Sequence, residues 1–107
     1  MIEQKHLDRY AAHCIADYKR WSKDPAMLEK ANYSIEFDWG NKFIRVWSSS
    51  WGSRSCHSFI AIGASPKDKW PEGTILKCAT WRAPAQNFAR GNIYDANLSR
   101  VTWTGAQ

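Results

Sequence analysis

The apolar residues of this 107-residue chain change their spacing once, near residue 32, and that change constrains the fold more than any motif does. Upstream of it, Leu7, Tyr10, Ala11, Cys14, Ile15, Tyr18 and Trp21 recur every three or four positions. Side chains at that interval fall on one stripe of a helix, which needs an apolar surface to pack against. Asp8, Arg9, Lys19 and Arg20 mostly take the other side. Ser22-Lys23-Asp24-Pro25 interrupts the pattern. Asp24 as cap and Pro25 at the first helical position predict a short second helix through Met27, Leu28 and Ala31. Residues 1–31 therefore read as a helical segment.

Downstream the period is two. Tyr33, Ile35, Phe37 and Trp39 alternate with Ser34, Glu36 and Asp38, the pattern of a strand. Gly40-Asn41 is a two-residue turn signal, so Lys42 to Ser49 should return as a hairpin. Ser50-Trp51-Gly52-Ser53 is a second turn, Ser55 to Ile62 a third strand, Gly63 to Gly73 a loop holding Pro66 and Pro71, and Thr74 to Arg82 a fourth strand. Pro84 then predicts a short helix over 84–90, with Gly91 as its stop. Arg100 to Trp103 predicts an edge strand. The expected fold class is α+β: an N-terminal amphipathic helix packed on a four- to five-stranded antiparallel meander, with a short helix near residues 84–90. Residues 33–107 hold the sheet, that helix and a tail, and the whole of 1–107 reads as one domain.

No window of 18 uncharged apolar residues occurs, so no transmembrane helix is predicted. The opening residues lack the basic flank and apolar run of a signal peptide, which points to the cytoplasm. Cys14, Cys56 and Cys78 are odd in number and widely spaced, a pattern of free thiols. The net charge of +5 is unevenly placed. Residues 1–38 carry 6 Lys/Arg against 7 Asp/Glu, and residues 39–107 carry 9 against 3. A positive field of that kind attracts polyanions and acidic protein surfaces alike.

Strand alternation divides the basic half into two faces. Ile44, Val46, Cys56, Ile60, Ile62, Leu76 and Cys78 are expected inward. Phe43, Arg45, Trp47, His57, Phe59, Lys77 and Trp81 are then outward, with Arg82 and Arg90 close by in sequence. Seven Trp, four Tyr and four Phe make this chain rich in rings. Rings interleaved with cations suit single-stranded nucleic acid, because bases stack on the rings while Lys and Arg meet phosphates. The same rings are equally what a second layer of polypeptide would cover, with Arg45 and Lys77 extending their stems to water.

Catalytic patterns are weak. His13-Cys14 and Cys56-His57 are sequence neighbours and point in different directions, so only a cross-element pair such as Cys14 with His57 is open. His6 and His13 are seven apart, not the three or four of a helical metal site. Glu36 and Asp38 share one side of a strand, where two carboxylates either hold a divalent ion or keep the face soluble. Arg90-Gly91-Asn92 reads as a helix end, with Arg90 also open as a phosphate contact. No nucleotide-binding glycine loop or zinc motif occurs. The expectation is a protein without enzymatic activity, metal or cofactor.

The segment Gly73-Thr74-Ile75-Leu76-Lys77-Cys78-Ala79-Thr80-Trp81-Arg82-Ala83-Pro84-Ala85, followed by Ala89-Arg90-Gly91-Asn92-Ile93, resembles one found in small proteins of tailed phages and prophages. Ser55 to Phe59 is similar to a stretch upstream of it in the same proteins. The resemblance covers roughly residues 42–95. It implies a phage-encoded protein made in the cytoplasm of a bacterial host cell, and it implies no particular activity. Three expectations follow: an accessory protein binding single-stranded nucleic acid through Arg45, Trp47, His57, Phe59, Lys77, Trp81, Arg82 and Arg90; a module that inhibits or redirects a host protein through the same surface; or a virion or assembly component.

Overall fold

In a computed structural model, which describes residues 1–95 and 97–107, two helices precede an antiparallel meander. The elements are α1 (Gln4–Trp21), α2 (Pro25–Ala31), β1 (Ser34–Trp39), β2 (Phe43–Ser50), β3 (Ser53–Ala61), β4 (Thr74–Leu76), β5 (Gly91–Asn92), β6 (Val101–Thr102) and β7 (Gly105–Ala106). The first five strands form one sheet in the order β1-β2-β3-β4-β5, and β6 pairs only with β7. The α+β class and the helix-on-meander arrangement are those expected. The expected edge strand at Arg100 to Trp103 is instead half of a separate hairpin.

The amphipathic stripe explains α1. Leu7, Tyr10, Cys14 and Tyr18 are its buried residues, at intervals of three and four. A reciprocal cap between Glu3 and His6 starts the helix, with the Glu3 amide donating to His6 Nδ1 at 2.9 Å. A second stripe ties down the C-terminal segment. Arg9 donates to the Ile93 carbonyl, His13 Nε2 lies 2.8 Å from the Val101 carbonyl, and Asp17 accepts from the Trp103 amide at 3.0 Å. The interval of four places these three on one flank of the helix. In α2, Asp24 caps with its side chain and Pro25 opens the first turn, as the residue types dictate.

The stripe of α1 packs on the inner face of the sheet. Ile44, Val46, Ile60 and Ile75 are buried there with Ile93, Leu98 and Val101. Phe37 stands opposite Val46 and Ile35 opposite Ser48, so β1 turns Glu36 and Asp38 to the outer face.

One irregularity reorganises that outer face. Val46 pairs with Ser58 and Trp47 with Cys56, so His57 is an extra residue with no partner in the ladder. A bulge of this kind inverts the alternation on one side of it. His57 is therefore 2% exposed on the core side, not outward as simple alternation predicts, and Cys56 shares the face of Trp47. Leu76 pairs with Phe59 and so also faces outward, while Ile75 takes the inward place opposite Ile60.

The fourth strand is shorter than expected, ending at Leu76 instead of Arg82. Beyond it the chain makes a tight strap. Cys78 forms an isolated bridge with Pro84, and the Ala79 and Thr80 amides both donate to the Ala83 carbonyl. No helix forms at 84–90. Pro84 is held in the bridge, the Ala85 amide donates to the Lys77 carbonyl, and the Arg90 amide, which a helix would have used, donates to the Ile75 carbonyl, so the segment is tied to β4 and its continuation instead. Cys56 and Cys78, expected as free thiols, meet on the outer face as a disulfide, and Cys14 is the free cysteine among the described residues.

The two cysteines are 22 residues apart in sequence. Closing a loop of that size removes about 3 kcal/mol of unfolded-chain entropy. Replacing both Cys56 and Cys78 by Ser is expected to lower the unfolding free energy by about that amount. Urea denaturation checks it, and a thiol reductant should move the midpoint of the unsubstituted chain the same way. An unchanged midpoint would mean that the other contacts hold the strap alone.

Candidate nucleic-acid interface

The outer face is built by pairing across β1, β2 and β3. Arg45 stands opposite Asp38 on one side and Phe59 on the other, and Trp47 stands between Glu36 and Cys56. The strap then adds Trp81 and Arg82. The result is alternating rings and guanidinium groups. Arg45 lies 5.4 Å from the Trp47 ring centroid, 5.8 Å from Phe59 and 5.7 Å from Trp81. Arg54 covers the far side of the strip, 4.1 Å from the Trp47 ring, and Arg82 sits 4.6 Å from the Trp81 ring. These distances fall within the range in which a cation is attracted to a ring face. Phe43 meets Phe59 edge to face at 6.1 Å.

The two carboxylates of β1 border this array. Asp38 is 3.7 Å from Arg45 and Glu36 is 4.0 Å from Arg54. Contacts this long and this exposed hold charges in place more than they stabilise the fold. Beside them lies a shallow cavity of about 170 Å³, lined by Asp38, Gly40, Asn41, Lys42, Phe43, Arg45, Phe59 and Arg82.

The structure gathers some of the expected residues and disperses others. Arg45, Trp47, Trp81 and Arg82 come together, with Trp81 54% exposed, Arg82 exposed, and Arg45 and Trp47 half-buried. Phe59 faces the same way but is 3% exposed, so it backs the array and offers no stacking surface. His57 is on the opposite side of the sheet. Arg90 is 5% exposed, held by Asn87 and the Phe88 carbonyl at 2.7 Å each, and belongs to the base of the strap. Lys77 is exposed but makes no ion pair or ring contact among the described residues. Arg54 was missed: it follows a turn and lies outside the alternation considered for β3. Its signal is the hairpin register, which sets it beside Ser49 on the face of Trp47.

The Cys14–His57 pair that sequence left open does form, with Sγ 3.6 Å from Nε2. Its surroundings silence it as chemistry. The Thr102 carbonyl accepts from His57 Nε2 at 2.8 Å, which leaves Nδ1 to accept from the Ser58 hydroxyl at 2.9 Å. Ser58 in turn accepts from the Tyr10 hydroxyl at 2.7 Å. No basic nitrogen is left for the thiol. Burial, with the nearby Asp17 charge, pushes the Cys14 thiol up to about 12, so the nucleophilic thiolate is absent at neutral pH. Burial also pulls His57 down to about 4, against a smaller opposing effect of the Thr102 hydrogen bond. The chain from Tyr10 to Thr102 is a fully paired polar seam that fastens the bulge of β3 to β6.

No helix of the described residues is long and apolar enough to cross a membrane, and no group of three His, Cys, Asp or Glu residues able to hold a metal occurs among them. A family model described as "Family of unknown function (DUF7717)" matches residues 3–107, so the chain belongs to that family. The match takes in α1 as well as the sheet. No curated protein and no solved structure matches the chain.

The polar seam gives stability a pH dependence. His57 is lowered in the folded chain, so its contribution is present above the unfolded value of 6.5 and is lost as pH falls toward about 4. The loss reaches about 3 kcal/mol. Urea midpoints at pH 7 and pH 4.5 should show this slope, and a His57→Gln variant should lose most of it. A wild-type slope retained in the variant would place the acid sensitivity elsewhere.

Proposed function

We propose that this member of the DUF7717 family is a non-enzymatic accessory protein that binds single-stranded nucleic acid on the outer face of its sheet, with Trp81, Arg82, Arg45, Trp47 and Arg54 as the contact residues. The observation that carries the reading is the interleaving of rings and guanidinium groups on one face, exposed at Trp81, Arg82 and Arg54: Arg45 among Trp47, Phe59 and Trp81, flanked by Arg54 and Arg82. Bases stack on Trp81, and the guanidinium groups meet successive phosphates. The Trp47 indole N–H and Arg45 Nε, both within this array, are buried without a hydrogen-bond partner among the described residues. The +5 net charge adds long-range attraction for a polyanion. The segment from Gly73 to Ile93 supports a phage-encoded protein acting in the cytoplasm of a bacterial host. Reductants there favour open thiols. Trp81 and Arg82 stay beside Arg45 in the oxidised chain, so binding should be measured with and without a thiol reductant.

A short labelled thymidylate oligomer titrated by fluorescence anisotropy tests this. Affinity should fall linearly in log–log form with salt, at about 0.7 per phosphate contacted. Trp81→Ala should cost about 1–3 kcal/mol of binding without changing the thermal midpoint, because its ring is exposed. Substituting Arg54 and Arg82 together by Ala should reduce the salt slope by about 1.4. No binding at low salt would overturn the reading and favour a host-protein surface.

A further inference from the structure

Two cavities adjoin on the outer face and share Lys42 and Phe43. One belongs to the strip already described. The other, of about 200 Å³, is lined by Lys42, Phe43, Lys67, Asp68, Trp70 and Gln86 among its principal residues. It lies where β2 begins, so the loop between β3 and β4 closes the strip at that end. Part of its wall is fixed: the Trp70 indole donates to Gln86 Oε1 at 3.3 Å, and Lys69 donates to the Gln86 carbonyl at 2.6 Å while lying 5.0 Å from the Trp70 ring centroid. Asp68 is turned to its own loop, where it accepts from the Ser65 amide at 3.0 Å. Lys42 and Lys67 form no ion pair among the described residues.

We propose that this cavity takes the phosphorylated terminal nucleotide of the strand whose interior the sheet face binds. The proposal rests on the reading of that face as a nucleic-acid surface. Its volume is below the roughly 300–1,000 Å³ of ordinary ligand sites, which suits one unit of a polymer. Phe43 and Trp70 supply ring walls for a base. The unpaired Lys42 and Lys67 supply the charge. A terminal phosphomonoester resembles a phosphorylated side chain and carries about −1.5 to −2 at neutral pH, more than the single charge of an internal phosphodiester. Two exposed lysines without ion pairs, both lining one cavity, therefore favour an end over an interior position. The 5′ and 3′ ends share this chemistry.

The test compares three thymidylate hexamers by anisotropy, bearing a 5′-phosphate, a 3′-phosphate or neither. One phosphorylated form is expected to bind about tenfold more tightly than the bare oligomer, the effect of one charge-assisted contact. Lys67→Ala, at an exposed position outside the strip, should abolish that gain and leave the bare oligomer unaffected. Equal affinity of all three hexamers, or a gain that survives Lys67→Ala, overturns the proposal. If none of the hexamers binds, the sheet-face reading itself fails. Thymidine monophosphate titrated alone, followed at the Trp70 indole N–H by NMR, then judges the cavity separately: a saturable shift lost in Lys67→Ala supports a nucleotide site, and no shift ends it.

Discussion

The bulge at His57 is the constraint on which both sides of the sheet depend. One residue without a ladder partner turns His57 and Ser58 together into the core, where Tyr10 and the Thr102 carbonyl complete their hydrogen bonds. An unpaired imidazole in that position would carry the full cost of a buried polar group, so the seam and the bulge require each other. Gly105 shows how closely the C-terminal hairpin approaches: a Cβ there would stand 2.8 Å from the His57 carbonyl oxygen, at a φ of +142° that side chains rarely adopt. The same inversion brings Cys56 to the outer face, in reach of Cys78. The strap that delivers Trp81 and Arg82 to Arg45 is thus a consequence of a core packing solution on the reverse side of the sheet.

The outer face is held by weak forces arranged in series. Each cation–ring contact contributes about 0.5–1 kcal/mol where solvent reaches it, and the flanking ion pairs little more. Such an array keeps its side chains ordered without sealing them. The guanidinium groups are already aligned with the rings, so less side-chain entropy is lost on contact with a partner. Buried Phe59 supports the array from beneath, and exposed Trp81 presents its surface. The carboxylates of β1 mark the boundary of the positive strip at the sheet's edge.

Much of this chain could be read before its structure. The stripe from Leu7 to Tyr18, the Asp24-Pro25 start of α2 and the alternation of β1 all report local preferences and appear where the residues place them. The hairpin after β1 turns one residue later than Gly40-Asn41, with the Gly40 amide donating to the Phe43 carbonyl across Asn41-Lys42. The candidate site was legible in part. Arg45 and Trp47 lie on β2, whose own alternation is unbroken because the extra residue is on β3, and they keep their predicted side, while His57 and Cys56 exchange sides because a bulge leaves no mark in a single sequence. Pro84 carries a real helix-start preference, but the bridge to Cys78 and the four backbone hydrogen bonds of the strap outweigh it.

The sequence by itself determined the elements whose energy is local: one amphipathic helix, a capped second helix, and a meander of strands joined by short turns. Its composition also set the positive charge of the second part. Only the tertiary structure decided which side chains share a face, which cysteines meet, and whether a ring is covered. Those outcomes depend on contacts between residues far apart in the chain. His57 with Thr102, Cys56 with Cys78 and Arg45 with Trp81 are each selected by competition among packings, and no spacing along the sequence encodes the result.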